Sequence, residues 1–426
     1  MKRKLIRQTL NQWRSNLWLI IEMTIVSCVI WIMVDWTFPQ VYFYAQPLGV
    51  DPENVLYGEA YTVWDKQKSY RPIPAGADTM MTYYNDLVGL KKKIAQFPEV
   101  EAVGLSVAAM PFNHNFWGSG FTDLSRDSML ISGNFRLLDP EAFKALGLEP
   151  VDGQSVGQHA KALADGKILI SRSVHDRRSE VINDSIAVET LIGDTVQCTP
   201  INGYTTTVGG IVEDIRREDF EEVFHGVIVA DPIRLGQFPN EFIVKLKPGT
   251  KKAFFDRMNE NPADFRSGNA YLPELVETEV LREDINRDKV QTITIFSVII
   301  AFFLVSIFLG LLGTFWFRTQ ERTGEIAIRI AGGATRTDIF RRMVSEGLLL
   351  LIVATVLAAG LDALCIHFFL QADGEESERW IWNYWNRLPV SAGITFVLMA
   401  IMVVLGIWFP ARRATRLDPA EALRTE

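Results

Sequence analysis

The sequence predicts an α-helical membrane bundle of four spans, with a large α+β extracytoplasmic domain inserted between the first and second spans. The chain has 426 residues, of which 48% are hydrophobic, and its net charge is −8. That composition is typical neither of a disordered chain nor of an ordinary soluble enzyme. Apolar residues gather at both ends of the chain, Lys and Arg cluster beside the apolar runs, and the segment between has the mixed composition of a soluble domain.

Four apolar runs have the length that a membrane helix needs, since about 20 residues cross a hydrocarbon core of about 30 Å. The first predicted span, residues 17–36, reads LWLIIEMTIVSCVIWIMVDW. The second, residues 291–316, carries no charge from Thr292 onward, so it has no polar face for water. The third and fourth predicted spans are residues 347–370 and 390–410.

Positive charge predicts the orientation of the spans, because cytoplasmic loops retain an excess of Lys and Arg. Residues 1–16, 317–343 and 411–426 together hold fifteen basic and six acidic residues, a net charge of +9. We therefore expect the basic N-terminus 1–16, the loop 317–346 and the tail 411–426 to be cytoplasmic. Residues 37–290 and the short loop 371–389, with four acidic residues against two Arg, are predicted to be extracytoplasmic.

The N-terminal apolar run has a rival interpretation as a cleaved signal peptide, since Ile25–Cys28 resembles a lipoprotein cleavage box. The apolar run continues after Cys28 as VIWIMV, where a secreted mature protein would turn polar. An uncleaved first membrane helix is the preferred interpretation.

The inserted segment 37–290 is long enough to fold around its own core. Runs rich in Val, Ile, Tyr and Thr predict strands, and two segments with apolar residues at helical spacing predict helices. The predicted strands are 55–63, 100–108, 166–171, 204–212, 226–230 and 241–246, and the predicted helices are 83–97 and 250–259.

The two predicted helices each accompany strands at opposite ends of this segment, which suggests that the two ends fold together. We predict one lobe from residues 55–110 and 240–280, with residues 120–235 inserted as a second lobe. Residues 274–290 are densely charged from Glu274 to Lys289 and free of Gly and Pro after 274, so they predict a helical stalk that continues the second span outward.

Motifs of catalysis are missing from the sequence. It contains no H-E-x-x-H, no G-x-S-x-G and no phosphate-binding G-x-x-x-x-G-K-[ST] motif. The histidines of the inserted segment are scattered and are expected to be surface or turn residues: His114, His159, His175 and His225. We predict no enzyme activity, no cofactor, no metal and no nucleic-acid partner, so that any nucleotide must bind to another polypeptide.

The cytoplasmic loop reads RTQERTGEIAIRIAGGATRTDIFRRMVSEGLLLL, and this segment resembles the permease subunits of MacB-type and FtsX-type ABC transporters. In that family a short coupling helix docks on the ATPase, and the matching residues here are Arg322, Glu325, Ile326, Arg329, Gly333 and Ala334, followed by Glu346 and Gly347. The chain has Ala-Gly-Gly at 331–333 where the family more often has Ala-Leu-Gly. The tail 410–426 and residues 192–219 resemble the family's C-terminal signature and MacB-like periplasmic domain.

The resemblance implies a permease without a fused ATPase in a bacterial inner membrane, with both termini cytoplasmic. It implies a separate ABC ATPase that binds the ATP, a second permease copy or homologue, and a periplasmic adaptor and outer-membrane duct as further partners beside membrane lipid. Mechanotransmission from ATPase to outer domain would serve export or envelope work. A four-span receptor or signalling protein and a Lol-like lipoprotein-release permease remain alternative hypotheses.

The loop also has a physical interpretation of its own. Ile326, Ile328 and Ile330 predict an apolar patch, with Ala327 and Ala331, that could enter a groove on a partner. A basic helix lying on the membrane surface would show the same pattern.

Two acidic residues within the spans are costly in lipid and need partners. Glu22 is expected either to bond within the bundle or to reach the cytoplasmic surface. Asp362 is expected to be solvated near the outer surface.

Overall fold

The computed structural model describes residues 13–63, 67, 69–113, 115, 117–126, 129–176, 188–198, 203–221, 227–365 and 384–414. Two compact units divide the chain. One unit consists of Met1–Tyr42 with Lys289–Glu426, and the other is Phe43–Asp288. The predicted fold class is confirmed, since four described helices are long and apolar enough to cross a membrane and a large α+β unit lies in sequence between the first two.

The helices and strands are numbered in chain order. The helices are α1 (Trp13–Tyr44), α2 (Thr79–Ile94), α3 (Pro140–Ala145), α4 (Val156–Ala164), α5 (Lys251–Glu260), α6 (Thr278–Glu321), α7 (Thr323–Ala331), α8 (Arg336–Cys365) and α9 (Tyr384–Ala414). The strands are β1 (Val55–Glu59), β2 (Tyr61–Thr62), β3 (Val100–Val107), β4 (Trp117–Asp123), β5 (Met129–Leu138), β6 (Ile168–Ser171), β7 (His175–Asp176), β8 (Thr195–Cys198), β9 (Tyr204–Val212), β10 (Val227–Ala230), β11 (Glu241–Leu246), β12 (Arg266–Ser267), β13 (Ala270–Tyr271) and β14 (Val276–Glu277).

Helices α1, α6, α8 and α9 form the membrane unit around one apolar core. Its fully buried members include Met23, Ile30, Leu311, Leu351 and Val403. A glycine in α8 permits close packing on α9, because a Cβ at Gly347 would lie 2.5 Å from Ile407 Cδ1. The glycine predicted to open the third span is therefore a contact point between helices.

The membrane helices are longer than the predicted spans. Helix α1 continues to Tyr44, helix α8 already begins at Arg336 within the predicted cytoplasmic loop, and helix α9 begins at Tyr384 within the predicted outer loop. The backbone groups of these extra turns are hydrogen-bonded within the helix, whatever side chains they carry. A search for apolar segments does not detect the extra turns, because they contain polar residues. The other residues of the predicted outer loop, 371–383, and the tail after 414 lie outside the described part of the chain.

The other unit is built on a sheet whose strand order is β10-β6-β9-β8-β4-β5-β3-β11-β1-β14, with β7 beside β5. Most pairings are antiparallel, and β10–β5 and β6–β9 are parallel. A small second sheet joins β12, β13 and β2. Helix α2 packs its buried residues Leu87, Leu90 and Ile94 on the core, on the face that the sequence predicts.

The two predicted lobes share this sheet. One apolar cluster draws its residues from 56–105 and 242–275, and another from 121–235. Strand β3 pairs with β5 at Ser106–Leu138 and Val107–Leu137, which makes the sheet continuous between the two regions. The lobe boundaries at 110, 120, 235 and 240 remain predictions.

Helix α6 is continuous over 44 residues, from the end of the α+β unit through the apolar second span. The predicted stalk begins four residues too early. Val276 and Glu277 form β14 and pair with β1, so the chain is extended there, and the helix begins at Thr278. The hydroxyl of Thr278, which is fully buried, donates a hydrogen bond to the Val55 carbonyl at 2.7 Å.

Candidate functional site

Helix α7, which carries the predicted coupling residues, is a nine-residue helix between α6 and α8. It ends in a Schellman motif, in which the N–H of Gly333 bonds to the Ile330 carbonyl and the N–H of Ala334 bonds to the Arg329 carbonyl, both at 3.0 Å. Gly333 has φ +90° while Gly332 has φ −80°. The turn thus needs glycine at 333 only, and position 332 has an ordinary backbone conformation.

Helix α8 begins with a reciprocal cap directly after this turn. The Thr335 hydroxyl accepts a hydrogen bond from the N–H of Asp338 at 3.2 Å, and the Asp338 carboxylate accepts one from the N–H of Thr335 at 3.0 Å. A capping box of this kind satisfies two backbone donors that a helix start leaves unpaired. The four residues between α7 and α8 are therefore fixed from both sides.

We expect Gly333→Ala to fray the end of α7, because an L-residue with positive φ costs about 1–2 kcal/mol. Amide hydrogen exchange in detergent should become faster over residues 330–334. Gly332→Ala is the matched control, since its φ is ordinary and a Cβ there would lie 3.4 Å from the nearest atom, the Ile328 carbonyl oxygen. Equal exchange in the two variants would show that the turn does not determine where α7 ends.

Glu346 fixes the base of α7 on α8. It is 8% exposed and accepts a hydrogen bond from Arg322 Nη1 at 3.1 Å, while Arg318 Nη1 lies 3.9 Å away. Because carboxylate–guanidinium bonds are strong when partly buried, this pair holds the connection between α6 and α7 against α8. Arg322 consequently points to Glu346 and not to Glu325, one helical turn along.

Glu325 forms a second ion-pair group farther along α7. Its carboxylate accepts hydrogen bonds from Arg329 Nη2 at 2.7 Å and Nε at 3.1 Å, and Arg342 of α8 lies 3.7 Å away. Partial burial opposes ionisation of this carboxyl group, but the hydrogen bond and charge of Arg329 outweigh it and lower the pKa of Glu325. The group is therefore an exposed anion surrounded by cations.

The isoleucines of α7 lie on different faces of the helix. Ile326 lines a shallow cavity of about 50 Å³ together with Phe315, Ile339 and Met343, whereas Ile328 is 63% exposed. The predicted compact patch is wrong in this respect, because residues two apart in an α-helix point in nearly opposite directions. The surface that α7 offers is Ile328 flanked by the exposed Arg329–Glu325 pair, with the cavity mouth beside it.

The two predicted intramembrane acids both lie inside the bundle. Glu22 is half-buried against α6, where a Cβ at Gly310 would lie 2.7 Å from its Oε1. Asp362 is 4% exposed and within hydrogen-bonding reach of the Cys28 thiol. The expectation that Asp362 is solvated is therefore wrong, since the first and third spans enclose it.

A buried ion pair joins α1 to α9, and sequence reasoning missed it. Arg387 Nη2 donates to Asp35 Oδ2 at 2.7 Å, and the two residues are 5% and 7% exposed. The Ser391 hydroxyl donates to Asp35 Oδ1 at 3.1 Å and accepts from Trp31 Nε1 at 2.9 Å. An acidic residue in a membrane span predicts a partner of this kind. One sequence does not show, however, that the partner of Asp35 lies 352 residues away in the chain.

The described residues contain no group of three or more His, Cys, Asp and Glu side chains placed to hold a metal ion. His159 is fully buried, contrary to the expected surface position, with Nε2 3.0 Å from Asp152 Oδ2. Asp152 also accepts the N–H of Ile211 at 2.9 Å, so the pair binds α4 to β9. His114 and His225 lie outside the described residues, and the side chain of His175 is not described.

Comparison with known proteins finds similarity over part of the chain. Residues 297–419 match a family model described as FtsX-like permease C-terminal, a range that includes all of α7, α8 and α9 and part of α6. The macrolide export ATP-binding/permease protein MacB of Shewanella oneidensis is 31% identical over 151 residues, which are 35% of this chain and 22% of that protein. MacB of Escherichia coli is 31% identical over 121 residues, 28% of this chain and 17% of that protein.

The chain thus aligns with less than a quarter of the length of these curated relatives. Among solved structures, the periplasmic region of MacB from Actinobacillus actinomycetemcomitans overlaps 57% of this chain and 97% of that structure, at 10% identity and a TM-score of 0.33.

Proposed function

We propose, on the premise that this chain is an ABC transporter permease of the MacB/FtsX type, that it couples ATP hydrolysis by a separate ATPase to movement of its extracytoplasmic domain. The observation that carries the proposal is the α7 region. It lies within the family match and offers an exposed apolar residue, an exposed ion pair and an adjoining cavity on one short helix fixed at both ends.

The surface of α7 suits a protein partner better than lipid. Ile328 could enter an apolar groove, and the Glu325 carboxylate with its guanidinium neighbours could meet charges at the rim of that groove. A helix that lay on lipid would gain little from an exposed acidic residue beside anionic headgroups. The chain itself is proposed to bind no nucleotide, so ATP binding belongs to the partner.

The orientation follows from the charge distribution. We place residues 1–16, the α7 region and the C-terminal tail in the cytoplasm of a bacterium, and the unit of Phe43–Asp288 outside the inner membrane. A second permease copy or homologue would complete the assembly, and a periplasmic adaptor and outer-membrane duct would receive what it exports. Mechanical transmission through α6 needs no substrate path through the bilayer, because that helix is continuous.

Purification of the tagged full-length chain in mild detergent, from cells that produce it natively, tests the proposal. We expect an ABC ATPase without membrane spans to copurify and to show ATP turnover that the permease stimulates. Ile328→Glu should lose the ATPase and leave the permease intact, because a charge replaces the apolar residue at the centre of the exposed face. Copurification of a kinase or other signalling protein in place of an ABC ATPase would overturn the proposal.

A further inference from the structure

The loop that follows β9 binds two helix ends at once, through Arg216 and Asp219. Arg216 is 3% exposed and Asp219 is 1% exposed, although both side chains carry charge. Buried charges are retained only where hydrogen bonds and opposite charges compensate their lost hydration. The partners of these two residues therefore show what the loop holds together.

Arg216 binds the backbone of the last turn of α1 and of the residues that follow it. Its guanidinium donates to the carbonyl oxygens of Phe43 at 2.6 Å, Gln46 at 2.5 Å and Pro47 at 2.8 Å. The last carbonyl groups of a helix have no partner within the helix and carry the negative end of its dipole. A guanidinium with several donors in one plane matches such a group of carbonyls, and Arg216 thus caps the end of α1.

The backbone of the same loop approaches this segment closely. The N–H of Arg216 donates to the Leu48 carbonyl at 3.0 Å. Gly49 has φ +83°, and a Cβ there would lie 1.9 Å from the carbonyl oxygen of Asp214. Only glycine fits at position 49, so the close contact between this segment and the loop depends on Gly49.

Asp219 binds the first turns of α6. Its carboxylate accepts two parallel hydrogen bonds from Arg282, at 2.6 and 2.9 Å, and a third from Asn286 Nδ2 at 2.6 Å. Arg282 and Asn286 are four residues apart and so lie on one face of the helix. A bidentate arginine pair adds geometric specificity to its energy, so the first turns of α6 are fixed to this loop.

The two residues are also bound to each other, because Arg216 Nη1 donates to the Asp219 carbonyl oxygen at 2.8 Å. We propose that residues 216–219 form a clamp that makes the end of α1, the start of α6 and the β9 side of the sheet move as one body. The inference rests on the proposed function, in which movement of the membrane helices moves the outer domain. The clamp would be the place where movement of α1 and α6 is passed to that domain.

Spin labels on the full-length permease in lipid nanodiscs test the clamp without the ATPase. Lys161 of α4 and Glu283 of α6 are exposed positions for the two labels. We expect one narrow distance distribution in the parent, and a distribution about twice as broad in Asp219→Asn, since the charge-assisted bonds to Arg282 weaken. Arg282→Gln is a second variant, whose 39% exposed side chain makes a folding defect avoidable.

Glu221→Gln is the matched control. Glu221 pairs with Arg217 in the same loop, at 2.7 Å, and makes no described bond to α6. It should keep the narrow distribution and, within about 2 °C, the melting temperature of the parent, whereas Asp219→Asn and Arg282→Gln should lower the melting temperature because each weakens a buried charge pair. An unchanged distribution in both Asp219→Asn and Arg282→Gln would overturn the clamp, and so would broadening of the same size in Glu221→Gln.

The ATPase enters only in a second measurement. With the copurified ATPase, Asp219→Asn should still stimulate ATP turnover to within about twofold of the parent, because the clamp acts downstream of docking. Loss of stimulation would show that the clamp does not act downstream of docking. Failure of the parent itself to bind an ATPase would overturn the proposed function and leave the label distances to decide on the clamp.

Discussion

Arg387→Leu is expected to destabilise the membrane unit by about 3–5 kcal/mol, because it leaves the buried Asp35 carboxylate without its cation. Among the described residues, the hydroxyl of Ser391 would still donate a hydrogen bond to Asp35. The free energy of unfolding, measured by titration with sodium dodecyl sulfate in mixed micelles, should fall accordingly. Export or ATPase stimulation should fall with it, since α1 and α9 would lose a contact that orients them.

The double variant Asp35→Leu, Arg387→Leu separates the charge from the packing. Replacing a buried ion pair by apolar residues of similar volume is often neutral, so the double variant should be more stable than Arg387→Leu alone. The comparison isolates the interaction, since the two side chains contact each other. If Arg387→Leu unfolds at the same detergent fraction as the parent, the ion pair does not hold the helices together in the membrane.

Hydropathy predicted the membrane helices because it measures how apolar a segment is, and the interior of a lipid bilayer favours apolar segments. Helix α6 has no polar face over its apolar half, and no other structure would satisfy its backbone in lipid. The start of α9 was not predictable in this way. Arg387 and Pro389 both indicate a loop in the sequence, but the helix contains them from Tyr384 onward, and Arg387 is compensated by Asp35 from another helix.

Strand β5 shows why the outer domain was only partly predictable. It lies in the middle of the sheet and pairs with β3, β4, β7 and β10, yet its sequence MLISGNFRLL has no regular alternation. Arg136 lies within it at 2% exposure and donates to the Ala108 carbonyl at 2.9 Å. Burial lowers the pKa of Arg136 to about 10, which still leaves it a cation beside Glu241. A buried arginine is tolerated only through this tertiary partnership, so the strand pattern alone could not indicate it.

For the candidate site, the sequence predicted the residues but not their pairing. Arg322, Glu325 and Arg329 are spaced to meet on one helix face, and only the last two do. Arg322 binds Glu346, which the sequence places directly before the third predicted span without indicating this partner. The competition between two carboxylates for one arginine depends on where α8 lies beside α7, and that is a tertiary property.

Glu325→Lys is expected to weaken binding of the ATPase by at least about tenfold, and to reduce the ATP turnover that the permease stimulates. Losing an interfacial charge pair typically costs about 2–5 kcal/mol. The new ammonium would lie beside Arg329 and Arg342, so three cations would replace an acidic residue and its two partners at the docking surface. Stability should change by less than about 1 kcal/mol, because the Glu325–Arg329 pair is exposed.

Glu321→Lys is the matched control, since it makes the same charge change at an exposed residue of the same segment, outside the Glu325 group. Pull-down of the ATPase and stimulated ATP turnover should be reduced far less than in Glu325→Lys. Equal losses in both variants would point to net charge, not to a docked residue. Unchanged pull-down and turnover in Glu325→Lys would mean that α7 is not the coupling helix, because no docked acidic residue could reverse its sign without effect.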